Sequence, residues 1–119
     1  INWSHGGSVV LCALSGRPVG VDVEWVRPRA ATLPRYALTP EEYDAFQQAG
    51  GDWPAFYCLW TKKEAWCKYT GQGLRRHWGA SPPKAGLFFQ TYAGSGWRAS
   101  VCGEESPPEK IVWMEDNPP

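Results

Sequence analysis

Hydrophobic and polar positions alternate most regularly over 19–26. Val19, Val21, Val23 and Trp25 fall on one face of an extended chain, and Gly20, Asp22 and Glu24 on the other. The apolar run 9–14 precedes this stretch, and Ser15-Gly16-Arg17-Pro18 between the two supplies turn chemistry. The pair reads as a β-hairpin with one apolar face. Two prolines and several small residues over 27–34 read as loop. The pattern then changes to a helical one. Thr39 is placed to cap a helix, with Pro40 at its first position and Glu41 and Glu42 at the positive end of its dipole. That helix runs to about Gln48 and stops at Gly50-Gly51. A second begins near Trp53-Pro54 and reaches about Tyr69, with Gly71 and Gly73 as its C-terminal punctuation. After the break at Ser81-Pro82-Pro83, the stretches 87–92, 97–102 and 111–115 read as strands, the first two joined by a hairpin turn at Gly94-Ser95-Gly96. The order β-β-α-α-β-β-β predicts an α+β fold, an antiparallel β-sheet with helices packed on it, as a single domain over 1–119.

Composition narrows the function classes. A chain of 119 residues can bury a core without disulfides or a structural metal, and 43% apolar with 20% charged residues excludes wholesale disorder. Twelve basic side chains balance twelve acidic ones, which argues against a nucleic-acid protein held by bulk charge. No run approaches the roughly 20 apolar residues of a membrane span, and the start shows no signal-peptide pattern. Cys12, Cys58, Cys67 and Cys102 form no C-x-x-C and have no histidine at zinc-ligand spacing, so they read as reduced, buried thiols of a cytoplasmic protein. The chain does not begin with Met, which leaves a processed form, a fragment and an excised domain all open.

Three places carry candidate chemistry. Asp22 and Glu24 project from one strand face. Adjacent carboxylates repel unless a cation lies between them, and a hard divalent metal such as Mg²⁺ is the usual solution. Gly20, on the same face, is expected to leave room for a ligand. A solvated polar strand face is the alternative. On the second helix, Trp60, Thr61, Glu64 and Lys68 fall in one stripe among strongly apolar neighbours, so a carboxylate and an amine sit in the middle of a mostly buried helix. The alternative there is an exposed i,i+4 ion pair between Glu64 and Lys68. Ser4-His5-Gly6-Gly7 is a third candidate, because a histidine beside a hydroxyl and a glycine-rich backbone suits phosphate. His77 has no supporting pattern.

Taken in order, these pieces resemble the 4′-phosphopantetheinyl transferases of the Sfp type. Asn2-Trp3-Ser4-His5 is similar to that family's Asn-x-Ser-His motif, and Gly20-Val21-Asp22-Val23-Glu24 to its Gly-Val/Ile-Asp-Val/Ile-Glu signature. The stretch from Trp60 through Lys63-Glu64 to Lys68 is similar to its Trp-Ser/Thr-x-Lys-Glu-x-x-x-Lys signature, and Gly71-Gln72-Gly73-Leu74 to the Gly-x-Gly-Leu that follows. The resemblance implies the family's fold and its reaction, transfer of the phosphopantetheine arm of coenzyme A to a serine of an acyl or peptidyl carrier protein, with release of 3′,5′-ADP. By position, Asp22, Glu24 and Glu64 would hold Mg²⁺ or Mn²⁺. Ser4 and His5 would contact coenzyme A phosphates, Lys68 would neutralise pyrophosphate charge, and Lys63 would help position substrate or serve as a structural ion-pair partner. Glu64 would take the proton from the carrier serine.

Carrier proteins of this class are acidic, which makes Arg27, Arg29, Arg75 and Arg76 candidate docking charges. Sfp-type enzymes resemble two such domains in tandem, and this chain resembles the second half. A homo-oligomer that rebuilds the junction, or a partner half absent from the sequence, are the expected ways to complete the site. A non-catalytic half-domain binding coenzyme A or a carrier protein is the alternative function.

Overall fold

The computed structural model describes residues 1–71 and 80–114. The chain opens with β1 (Asn2–Gly6) and β2 (Val9–Ala13), which pair antiparallel around a turn at Gly7-Ser8. Next come β3 (Val19–Trp25) and three helices: α1 (Leu33–Ala37), α2 (Pro40–Gln48) and α3 (Trp53–Thr70). The last two strands are β4 (Phe88–Gly94) and β5 (Trp97–Gly103). β3, β5 and β4 form a three-stranded antiparallel sheet in that order, with β5 central. The fold is α+β, antiparallel sheets with helices packed on them.

The expected hairpin between 9–14 and 19–26 does not form. β2 turns back on β1 instead, a strand the sequence reading passed over, and β3 pairs with β5. The sequence pattern located β2 and β3, and the expected hairpin of 87–92 with 97–102 forms as β4 and β5, but the partners of β2 and β3 lie outside the stretches that announce them. The stretch read as loop runs into the short helix α1, whose first two residues, Leu33 and Pro34, it includes. The strand expected over 111–115 is not one in its described part: 111–114 is irregular. Alternate residues pack, Ile111 against the sheet core and Trp113 edge-on to Trp97, while Val112 and Met114 are exposed.

Two apolar clusters hold the layers. Val9 from the hairpin packs with Val21, Val23, Tyr92, Trp97, Ala99 and Val101 from the sheet. Ala37, Leu38, Phe46, Ala55, Phe56 and Tyr57 join the three helices. Helix ends follow their expected chemistry. Thr39 and Glu42 form a reciprocal capping box, with Glu42 N–H donating to Thr39 Oγ1 at 3.2 Å and Thr39 N–H to Glu42 Oε1 at 2.8 Å. Asp52 caps α3, and Gly71 closes it in the left-handed region. All four cysteines are free, but only Cys67 and Cys102 are buried. Cys58 is half-buried and Cys12 exposed on the outer face of β2, which corrects the expectation that all were interior.

Candidate active site

Gly20 decides how the two signatures meet. A Cβ there would collide with the backbone of α3 at Ala65 and Tyr69. The space expected for a ligand is therefore filled by the helix itself. Glycine lets α3 lie almost directly on β3, bringing Glu64 and Lys68 over the strand that carries Asp22 and Glu24.

Asp22 is the most constrained of these groups. It is 4% exposed, in a strand buried on both faces. Its Oδ1 accepts a hydrogen bond from Ser4 Oγ at 3.2 Å and lies 3.8 Å from Lys68 Nζ. Its Oδ2 is buried and receives no hydrogen bond. Burial pushes the Asp22 carboxyl up to about 7. Repulsion from Glu24 and Glu64 adds to the rise, while Lys68 and the Ser4 hydroxyl oppose it. Glu64 is raised first by burial and then by Glu24, against Lys68. Burial also raises Glu24, against Arg27, Lys68 and Arg29. The three carboxylates thus share one electrostatic site with a single lysine at its edge, its side chain about one-third exposed.

Such a site fits a hard cation. An orphaned, buried carboxylate oxygen with two further carboxylates within electrostatic reach is the donor chemistry that Mg²⁺ or Mn²⁺ takes. Among the described residues no set of three or more His, Cys, Asp or Glu side chains is already drawn together as a metal cage. Glu24 and Glu64, both half-buried, are the two that would have to adjust.

The remaining sequence candidates divide. Ser4 joins the site, but as a partner of Asp22. His5 does not: one residue on along β1, it points to the opposite, exposed face, where its ring stacks with Trp3 at 6.0 Å. Lys63 is likewise removed from the site: its surroundings match the structural ion pair expected of it and not the contact with coenzyme A. Its side chain has no exposed surface, and its Nζ donates to Glu42 Oε1 at 3.0 Å and to the Ala37 carbonyl at 3.1 Å. This buried pair ties α3 to α1 and α2. Arg27 and Arg29 lie close enough to Glu24 to stabilise its charge, and the loop is held where Tyr57 Oη donates to the Arg27 carbonyl at 3.2 Å. Arg75, Arg76, His77 and Gly73 lie outside the described residues.

Sequence reasoning missed Glu42 as the partner of Lys63, because its charge was already accounted for at the positive end of the α2 dipole. Asn2 was missed as a structural group. Its Oδ1 accepts from Val21 N–H at 3.0 Å, as Ser4 Oγ accepts from Val23 N–H at 3.3 Å. The signal was present in the spacing of the two residues, since side chains two apart on one strand share a face.

Residues 18–113 match the family model of the 4′-phosphopantetheinyl transferase superfamily, and the chain belongs to that superfamily. Curated relatives are of the Sfp type. A 4′-phosphopantetheinyl transferase from Bacillus subtilis is 35% identical over 75 residues, covering 61% of this chain and 34% of the relative. The 4′-phosphopantetheinyl transferase Sfp of Bacillus subtilis strain 168 is 33% identical over the same length and shares. The 4′-phosphopantetheinyl transferase HetI of Nostoc is 32% identical over 80 residues, covering 63% of this chain and 34% of the relative. The chain spans about a third of the length of the curated relatives it matches. Among the described residues no helix is long and apolar enough to cross a membrane.

Proposed function

We propose that the chain transfers the 4′-phosphopantetheine arm of coenzyme A to a serine of an acyl or peptidyl carrier protein. The observation that carries the reading is the buried Asp22 carboxylate, one oxygen unpartnered, held beside Glu24, Glu64 and Lys68. Asp22, Glu24 and Glu64 would hold Mg²⁺ or Mn²⁺. Bound there, the cation would supply Lewis-acid polarisation and charge neutralisation for a pyrophosphate.

The residues divide the remaining work. The Lys68 ammonium, at the edge of the cluster and partly exposed, binds pyrophosphate oxygens. Glu64, whose affinity for a proton is raised by burial and by Glu24, accepts the proton of the carrier serine. The serine oxygen bonds to the phosphorus that carries the pantetheine. The bond from that phosphorus to the bridging oxygen breaks, and 3′,5′-ADP leaves with the electron pair. Positioning and charge neutralisation are the main demands of such a transfer. Arg27 and Arg29 border the cluster on a loop that an acidic carrier protein would meet.

The short span relative to its relatives favours a second reading: a half-domain that binds coenzyme A or a carrier protein and needs a further half, or a second copy, for transfer. Calorimetric titration with coenzyme A in Mg²⁺ and in chelator, run beside a carrier-loading assay, separates the two. Binding with loading supports the transferase. Mg²⁺-dependent binding without loading at high enzyme supports the half-domain. Neither binding nor loading refutes both.

A further inference from the structure

β3 lies at the edge of its sheet, so every second backbone N–H along it points away from β5 with no strand to meet it. In the register observed, these are the N–H groups of Val21 and Val23. They recur at two-residue intervals, roughly 7 Å apart. β1 runs alongside, and its inward-facing Asn2 and Ser4 offer side-chain oxygens at the same interval. Gly6 carries the alignment on. A Cβ there would come within 2.7 Å of the Val23 carbonyl, so glycine lets β1 close against β3. The Asn-x-Ser spacing thus satisfies a strand edge with side chains where a neighbouring strand would use its backbone.

The two side chains differ in one respect. Asn2 Oδ1 only accepts, and its bond stops at Val21. The Ser4 hydroxyl accepts from Val23 N–H and donates its one hydrogen bond to Asp22 Oδ1. Ser4 is 7% exposed, so this geometry is locked by its surroundings. Oδ1 is occupied by Ser4 and Lys68, while Oδ2 has no hydrogen-bond partner. A hydroxyl committed in this way has no proton left for a coenzyme A phosphate, the role its motif implied.

We infer that Ser4 is a positioning residue for the cation site. Held by Val23 N–H, it fixes the Asp22 carboxylate so that Oδ1 is taken and Oδ2 is the oxygen available to a divalent cation. Asn2 is its structural counterpart, clamping the same strand edge without touching the carboxylate. The inference rests on the proposed cation site formed with Asp22.

Mn²⁺ binding to the full chain, read from the paramagnetic resonance signal of the free ion, tests it together with thermal melts. Ser4→Ala should weaken Mn²⁺ binding about 10-fold or more, the usual effect of losing a group that orients a metal ligand. Ser4→Thr keeps the hydroxyl and should stay within about threefold of wild type. Ser4→Cys, near in size but a weaker donor, should weaken binding in the same direction as Ser4→Ala and serves if that variant does not fold. Asn2→Ala should lower the melting temperature yet leave Mn²⁺ affinity within about threefold. Unchanged affinity in Ser4→Ala or Ser4→Cys overturns the inference, as does an equal loss in Asn2→Ala. A wild-type chain that takes up no Mn²⁺ overturns the cation site itself and this inference with it, an outcome distinct from the other two.

Discussion

Replacing Asp22 by Asn should stabilise the cation-free protein. The Asp22 carboxyl is raised from 3.8 to about 7, first because it is buried, then because Glu24 and Glu64 repel its charge. A folded state that holds its proton more tightly than the unfolded chain gains stability at low pH and loses it as pH rises. Below about pH 4 both states are protonated and the group contributes its full stability. Between about pH 4 and 7 the unfolded chain ionises first, so stability falls; above about 7 the loss levels off. A shift of about 3 pH units at about 1.4 kcal/mol each puts the loss near 4 kcal/mol. Asn keeps an oxygen for the Ser4 hydroxyl but cannot ionise. Asp22→Asn should therefore be about 2–4 kcal/mol more stable than wild type at pH 8 in chelator, with part of the pH slope remaining through Glu24 and Glu64. The assay is urea unfolding followed by circular dichroism from pH 4 to pH 8, in chelator and in Mg²⁺. The curves should meet near pH 4, and Mg²⁺ should stabilise wild type but not the variant. An Asn variant less stable than wild type at pH 8 in chelator, or one with the same pH slope, would refute the assignment of a strained, buried carboxylate.

Three further outcomes follow from the geometry. Glu64→Gln should lower carrier loading at least about 100-fold, the lower range for loss of a positioned base, with a melting temperature in chelator no lower than wild type because the raised carboxyl is a source of strain. Gly20→Ala should cost about 2–3 kcal/mol or more in urea unfolding, since its methyl meets helix backbone that cannot rotate away; an unchanged midpoint would show that α3 does not sit on β3 this closely. Lys63→Met leaves Glu42 buried without its cation, and unfolding free energy should fall by about 3–5 kcal/mol; a surface-like change under about 0.5 kcal/mol would return Lys63 to the exposed helix face.

α2 and α3 were legible because their signals are local, whereas α1 was not. Thr39, Pro40 and Glu42 marked the start of α2 and Gly71 the end of α3 within a turn of the bonds that use them. The positions of β2 to β5 were legible for the same reason, as was the β4–β5 hairpin from its glycine-rich turn, but β1 was not, nor were the partners of β2 and β3. Nothing near Val19 indicates that it faces Gly103, or that β2 folds back on β1. At the site, the patterns marked Asp22 with Glu24 and Glu64 with Lys68 as two separate places, and the close approach of α3 to β3 at Gly20 relates them, whereas side-chain direction separated neighbours. Ser4 turns inward and His5 outward because a strand alternates. Lys63 goes inward and Lys68 to the edge because five residues on a helix amount to about 140° of rotation. Gly20 was misread because a missing side chain looks the same in sequence whether a ligand or a helix backbone occupies the space.

The most direct test of the central claim is the intact mass of an apo carrier protein after incubation with coenzyme A and stoichiometric amounts of the chain. In Mg²⁺ the carrier should gain the mass of one phosphopantetheine unit at its acceptor serine, and in chelator it should gain none. A carrier that stays unmodified in Mg²⁺ would contradict transfer by this chain, and loading that persists in chelator would contradict the role given to Asp22, Glu24 and Glu64.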